Sequence, residues 1–493
     1  MILSNLPAIQ VVLPLLGAVI CACVRRGVIA WGVTLWVALA MPIVAALILA
    51  QVYDGTVISY AMGGWPPPIG IEYRVDIANA FMLLLVSAIA AIVVPYAKQS
   101  VEAEIAPENH AWYYAIFLLC LSGLLGIAIT GDAFNIFVFM EVSSLATYAL
   151  IAMGKDRRAL LAAYQYLIVG TIGASFYVIG VGFLYSMTGS LNLADVAGRI
   201  AEIENSRPVL AALAFLTVGI SLKLALFPLH VWLPNAYAYA PSMATVFLAA
   251  TATKVAVYLM LRYFFSVFGA SFVFEELPVT EILMLLSLAA MFGASIVAIF
   301  QANVKRMLAY SSVAQVGYIT LGIALANQAG LTGGIVHLFN HAVMKGALFM
   351  ALGGVAYRIG SVRIEDMAGL GRRMPITMGA LVLAGLGIIG VPGTVGFISK
   401  WYLGLGAFEE GWWWLVLLLV ASSLLAVVYI GRIVEVVYFR EESRLARKAS
   451  EPPAGLLVPT LVLVAATVYF GIDTSLSVGV AQRAAELLLA GVR

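Results

Sequence analysis

The chain has 493 residues, of which 63% are hydrophobic and only 11% are charged, and its mean hydropathy is +1.03. A soluble protein of this length needs far more charged side chains to cover its surface, so this composition excludes that class. The formal net charge of +2 does not point to a nucleic-acid partner.

Apolar stretches of about 20 residues, the length that crosses a bilayer, recur along the whole chain. They predict an all-α polytopic membrane protein, since a transmembrane β-barrel shows weaker alternating segments of about ten residues. The longest gap between them, residues 52–76, is expected to form an ordered surface loop. We predict fourteen spans, numbered in chain order: 4–24, 28–51, 77–97, 111–130, 132–153, 159–187, 208–233, 241–263, 279–300, 307–327, 331–357, 375–404, 411–438 and 455–472.

Lysine and arginine are distributed unevenly between the two sets of loops. Loops that follow odd-numbered spans hold sixteen of these residues, and the opposite side, with the chain end Arg493, holds six. The positive-inside rule makes the richer side cytoplasmic, and both termini then face outward.

Ionisable residues inside the spans are costly, so several of them in one chain indicate a polar pathway. Span 11 carries His337, His341 and Lys345 at i, i+4 and i+8, which places all three along one helix face. Four others lie singly in spans 5, 7, 8 and 12: Glu141, Lys223, Lys254 and Lys400. One carboxylate cannot pair with all these lysines, and an unpaired buried lysine can release a proton, as a proton relay requires.

Less specific interpretations stay open for these residues. The charges could form structural ion pairs, and the two histidines could be core residues or haem ligands. Haem is disfavoured because two histidines one turn apart on one face cannot hold a single iron from both sides. Arg432 and Glu435 lie near the end of span 13, where they are expected to reach the membrane surface or pair with each other.

Two spans are predicted to be broken. Pro228 interrupts span 7 in a segment that also carries Lys223 and His230, and Pro392 with Gly393 interrupts span 12 before Lys400. Each is the fourth span of a five-span unit, which is typical of an inverted repeat with ion sites at the breaks. The expected regions are a three-helix part (1–110), two five-helix repeats (111–265 and 279–440) and helix 14 with a tail (441–493).

At these residues the chain resembles the antiporter-like membrane subunits of respiratory complex I (subunits L, M and N), membrane-bound hydrogenases and Mrp-type multisubunit Na⁺/H⁺ antiporters. The motifs that carry the resemblance are "GDAFNIFVFMEVSSLATYAL", "LKLALFPLHVWLPNAYAYAPS", "NVKRMLAYSSVAQVGY" and "HLFNHAVMKGALF". Within the family, "GDAFNIFVF" and "PNAYAYAPS" are most similar to the D-type subunits of Mrp antiporters, whereas the serines of "EVSSLATY" depart from the commoner D-type pattern.

The resemblance implies a role for each ionisable residue. It implies that Glu141 modulates the pKa of Lys223 and that Lys254 corresponds to the lysine of span 8 in this family's pattern. It also implies that His337 and His341 lie on the central axis and that Lys400 ends the relay. Lys345 is a further candidate for the relay because it lies on the same helix face as the two histidines. His230 and Glu435 are secondary candidates.

The expected function is that of a proton-translocating subunit of a monovalent cation (Na⁺)/H⁺ antiporter in a bacterial or archaeal inner membrane. Its expected partners are other membrane subunits, protons, Na⁺ and the lipid bilayer, with no cofactor in this chain. The alternatives are a proton-pumping subunit of a redox complex, such as complex I or a hydrogenase, and a standalone carrier of small solutes.

Overall fold

The computed structural model describes residues 3–203 and 205–491, so the terminal cation Arg493 lies outside the described residues. Thirteen helices within this part are long and apolar enough to cross a membrane, or up to fourteen if a bent pair ending at Ile389 is one span. The polytopic helical prediction is therefore confirmed. The helices are α1 (Leu6–Val24), α2 (Gly27–Val52), α3 (Ile77–Glu104), α4 (His110–Ile129), α5 (Ala133–Ala152), α6 (Arg157–Thr188), α7 (Leu193–Ile200), α8 (Arg207–Leu224), α9 (Leu233–Tyr239), α10 (Ser242–Leu261), α11 (Val279–Ala289), α12 (Ser295–Ile299), α13 (Val304–Leu325), α14 (Gln328–Ile359), α15 (Pro375–Ile389), α16 (Val395–Glu409), α17 (Trp413–Val434), α18 (Ala454–Ile472) and α19 (Ser475–Ala490).

Several helices begin at an Asp or Asn whose side chain accepts hydrogen bonds from the first free amides. Asp76 and Asn79 form a reciprocal capping box at the start of α3. At the starts of α5, α13 and α14, the side chains of Asp132, Asn303 and Asn327 each accept a hydrogen bond from one backbone amide. These caps matter because lipid offers no partner to unpaired amides at a helix end.

The predicted surface loop at 52–76 is ordered and contains a two-stranded antiparallel hairpin, β1 (Ile58–Ala61) and β2 (Glu72–Val75). Its second strand meets the end of α4 through a bridge between Tyr73 and Thr130. Buried Glu72 joins the hairpin to the loop before α7, because its carboxylate accepts a hydrogen bond from Asn192 Nδ2 at 2.7 Å. We call the membrane face on which the hairpin lies the hairpin face.

The tail expected after span 14 contains one more helix, since residues 475–490 form α19. This helix buries small residues such as Ala481 and Ala484 and packs against α3 and α14. Gln328 Nε2 of α14 donates to the carbonyl of Gln482 at 3.0 Å. A search for apolar spans misses α19, because polar residues at 482, 483 and 486 interrupt it.

Both predicted breaks are present, but the first begins earlier than expected. Helix α8 ends at Leu224 and α9 begins at Leu233, so Pro228 lies inside the gap rather than at its start. The reason is steric, since a proline disfavours helical geometry at the preceding residue and clashes with the carbonyl four residues back. In span 12, α15 ends at Ile389 and α16 begins at Val395, so Pro392 and Gly393 lie in the gap.

The helix neighbours repeat in the two predicted five-span units. Helix α5 packs between α4 and α6, and α13 likewise packs between α11 and α14. The broken spans α8–α9 and α15–α16 contact the preceding long helix of their own unit, α6 or α14. Helix α14 is the central column, buried over the whole of its apolar window.

Helices α6 and α8 approach closely at Gly219. A Cβ at Gly219 would lie 2.7 Å from the carbonyl oxygen of Gly173 and 2.8 Å from the amide nitrogen of Tyr177. We expect Gly219→Ala to destabilise the protein by roughly 1–3 kcal/mol, the usual cost of overpacking. Gly182→Ala on α6 is the control, because a Cβ there meets nothing within 4 Å. Thermal denaturation in detergent, followed by size-exclusion chromatography, measures both, and equal stability of the two variants would contradict the prediction.

Candidate functional site

The predicted alignment on span 11 is observed. His337, His341 and Lys345 lie on the continuous helix α14, and each is 0% exposed. The rings of His337 and His341 are nearly parallel, with centroids 6.1 Å apart. The central helix therefore carries a row of three basic side chains inside the protein.

The two histidines differ in their partners. His337 Nδ1 lies 2.7 Å from Ser399 Oγ, and its Nε2 lies 3.0 Å from Gln315 Oε1. Neither ring nitrogen of His341 has a hydrogen-bond partner among the described residues. Since buried polar atoms in proteins are nearly always paired, we expect a water molecule to complete the hydrogen bonding of His341.

Glu141 and Lys223 are brought together by α5 and α8. The ammonium of Lys223 lies 3.9 Å from Glu141 Oε1 and donates a hydrogen bond to Ser144 Oγ at 2.5 Å. Lys223 is 8% exposed, and it occupies the last turn of α8 directly before the break. The break thus leaves this lysine at a helix end within the membrane, next to the one intramembrane glutamate of the predicted set.

Lys254 and Lys345 have only neutral partners among the described residues. Lys254 is 1% exposed on α10, and its ammonium donates to the carbonyl of Ala249. Lys345 donates to the carbonyl of Leu308 at 2.8 Å and to Ser311 Oγ at 2.9 Å. A buried ammonium with neutral acceptors is costly in its charged form, which favours reversible loss of the proton.

Lys400 reaches back across the break in span 12. Its ammonium donates to the carbonyls of Ile388 at 3.1 Å and Ile389 at 2.8 Å, which are the last residues of α15. It also donates to Ser423 Oγ at 2.8 Å. The lysine therefore points into the protein rather than along the surface, and its charge faces the negative end of a helix.

Lys400 and His337 are linked through neighbouring side chains. Ser399, next to Lys400 on α16, contacts His337 Nδ1. The ring of Tyr318 lies 5.5 Å from the ring of His337, and the ammonium of Lys400 is 4.7 Å from the same tyrosine ring. His337 and Lys400 therefore share Tyr318 as a neighbour, but no hydrogen bond joins their side chains directly among the described residues.

Two secondary candidates lie outside this cluster. His230 lies in the first break, where its ring stacks on Phe227 at 5.0 Å and its Nδ1 has no partner among the described residues. Glu435 is on the surface and pairs with Arg440 at 3.0 Å. The expected pair of Arg432 and Glu435 is not formed, because Arg432 instead donates to the carbonyls of Ile299 and Gln301.

Sequence reasoning missed two buried cations because both were counted with the loops. Arg262 is 8% exposed and forms an ion pair with Asp76, the residue that caps α3. Lys305 is 6% exposed and donates to Ser242 Oγ at 3.0 Å, and the amide of Ser242 donates to Glu104. The only available signal was their position, one or two residues from the predicted span ends.

The described residues contain no group of three or more His, Cys, Asp or Glu side chains that could hold a metal ion. His337 and His341 also do not face each other across a gap, as the axial ligands of a haem iron would. The arrangement consists of separate proton-binding groups, joined by hydroxyl groups and places for water.

Residues 130–426 match the family model described as NADH:quinone oxidoreductase/Mrp antiporter, TM. The chain is 42% identical to NADH-quinone oxidoreductase subunit N of Desulforudis audaxviator (strain MP104C), over 95% of this chain and 96% of that one. It is 29% identical to the D-type subunit of the Na⁺/H⁺ antiporter of Bacillus subtilis (strain 168), over 99% of this chain and 98% of that one. Among solved structures, a chain of the archaeal membrane-bound sulfane sulfur reductase superposes with a TM-score of 0.90 at 32% identity, and 98% of each chain is covered. The chain is an antiporter-like membrane subunit and belongs to the NADH:quinone oxidoreductase/Mrp antiporter transmembrane family.

Proposed function

We propose that this subunit transfers protons through the membrane along Lys223, Lys254, His341, His337 and Lys400, with Lys345 as a side branch. The observation that carries the proposal is the set of buried or partly buried basic side chains that have no carboxylate partner among the described residues, except Lys223, which lies near Glu141. Such groups can take up and release protons without breaking a strong ion pair. The unpartnered nitrogens of His341 supply a position for bridging water.

The subunit is proposed to work within a hetero-oligomeric complex in a bacterial or archaeal cytoplasmic membrane. The named relatives are subunits of larger assemblies, which supports this part of the proposal. The excess of Lys and Arg in loops after odd-numbered spans supports an orientation with both termini on the outer side.

For the driving reaction we favour electron transfer in partner subunits. The 42% identity to an NADH-quinone oxidoreductase subunit and the 32% identity to a sulfane sulfur reductase chain support this choice. Na⁺/H⁺ antiport, the function preferred from the sequence motifs, is the second candidate. Its support is the 29% identity to the D-type antiporter subunit, which does not specifically favour it over the redox function.

Purification of the tagged chain with its native partners tests the proposal. The complex is reconstituted in vesicles with an internal pH dye. The vesicles are given NADH, or dithionite with a small redox mediator, together with a quinone or a sulfane-sulfur compound as electron acceptor. A separate sample is given a Na⁺ gradient alone. We expect a pH change with the reductant, none with Na⁺ alone, and none from the chain without its partners. A pH change driven by Na⁺ alone would establish the antiporter instead, and unchanged transport in Lys223→Met and Lys400→Met would contradict the relay.

A further inference from the structure

Two small cavities lie end to end between α4, α5 and α10. The first, called the Lys223 cavity, has a volume of about 30 Å³. Its polar wall consists of Ser143, Ser144, Thr147 and Lys223. The second, called the hairpin-face cavity, has a volume of about 40 Å³ and is lined by Arg74, Thr130, Arg262 and Ser266. Each cavity has room for at least two water molecules, since one molecule needs about 10–15 Å³ of cavity volume measured in this way.

The hairpin-face cavity has a mostly apolar lining, with several polar groups at the ends of the elements that form it. Arg74 belongs to β2, Thr130 follows α4, and Ser266 follows α10, so the cavity is formed where several elements end. Arg262 in its wall is held by Asp76 and by the hydroxyl of Tyr258. These groups make the cavity suitable for water that exchanges with the hairpin face.

The two cavities share two lining residues, Ile127 and Leu259. Ile127 lies on α4 near its end, and Leu259 lies on α10, one residue after Tyr258. They are 4% and 2% exposed. Two branched aliphatic side chains therefore lie between the polar residues of the two cavities. In channels, a narrow aliphatic constriction blocks ions and protons because it excludes water.

We propose that Ile127 and Leu259 form a hydrophobic gate that separates Lys223 from water at the hairpin face. The inference rests on the proposed proton transfer through Lys223. With the gate closed, Lys223 exchanges protons only through the other members of the relay. With the gate open, water joins the two cavities and gives Lys223 a direct route for protons to the hairpin face. The route follows α10 from Ala252 to Arg262, the residue after the helix, a distance of about 15 Å.

The test is proton leakage through the resting complex. Vesicles containing the whole complex are given a pH gradient without reductant or Na⁺ gradient, and the decay of the gradient is followed. We expect the double variant Ile127→Ala/Leu259→Ala to leak roughly tenfold faster than the wild type, since removing the constriction lets water through. The milder pair Ile127→Val/Leu259→Val is expected to leak faster than the wild type but more slowly than the alanine pair. This pair replaces the alanine pair in the test if the alanine pair does not assemble.

Matched controls come from residues that line only one of the cavities. Ile136→Ala enlarges the hairpin-face cavity alone, and Val255→Ala enlarges the Lys223 cavity alone, so neither variant should leak. Adding Lys223→Met to the gate variant should remove the leak. Wild-type leakage in assembled gate variants, or a leak that persists without Lys223, overturns the gate. Normal driven transport in Lys223→Met alone instead overturns the proposed function, so the two failures are distinguishable.

Discussion

Driven proton transport is expected to fall by about 100-fold or more in Lys400→Ala, the range for removing a side chain that transfers protons. The ammonium of Lys400 contacts the carbonyls of Ile388 and Ile389 and the hydroxyl of Ser423. The ring of Tyr318 lies next to both this ammonium and the ring of His337. Without this lysine the polar contacts end at His337, and protons have no acceptor at the second break. Initial rates of the pH change in vesicles, corrected for the amount of assembled complex, measure the loss.

Lys400 also satisfies the last carbonyls of α15, so alanine could act through the fold alone. Lys400→Arg separates the two effects, because arginine keeps the charge and the donors but does not release its proton. We expect Lys400→Arg to assemble normally and to transport as poorly as the alanine variant, and Lys400→His to retain part of the rate. Lys448→Ala, on the exposed loop before α18, is the control and should be normal. Near-normal transport in assembled Lys400→Arg would contradict a relay role.

Glu141→Gln is expected to lower driven transport by about tenfold or more. Glu141 is the only ion-pair partner of Lys223 among the described residues, at 3.9 Å. Without this carboxylate, the ammonium of Lys223 has only the neutral hydroxyl of Ser144 as a partner in the described part of the chain, so the proton equilibrium of this lysine changes. A change of about 1.4 kcal/mol in that equilibrium already corresponds to a factor of ten. Glutamine keeps the size of the side chain, so insertion and assembly should be unchanged. The measurement is the rate of the reductant-driven pH change at equal protein level.

Glu435→Gln is the matched control for Glu141→Gln. Glu435 is the second glutamate among the candidate residues, but it pairs with Arg440 on the surface and has no contact with the buried basic row. We expect this variant to transport at the wild-type rate. Equal transport in Glu141→Gln and Glu435→Gln would show that the Glu141–Lys223 pair has no part in proton transfer.

The long helices and their periodic features were predictable from the sequence. Lipid requires each span to have about 20 apolar residues and to form its backbone hydrogen bonds within its own helix. Both properties depend on one continuous stretch of the chain, so they can be recognised in the sequence. The row of His337, His341 and Lys345 follows from helical periodicity alone, and α14 has it. Proline and glycine located the two breaks, although the first begins at Ala225, before Pro228.

Contacts between distant segments were decided only by the tertiary structure. Nothing local in the sequence places Lys400 on the carbonyls of α15, Ser399 beside His337, or Asp76 against Arg262. Likewise, the positions of the predicted spans do not indicate that Ile127 and Leu259 line the same two cavities. The composition and spacing of the chain determine which segments cross the membrane and which charges they carry. The packing of those segments decides which charges meet, because the partners of each buried group lie on other helices.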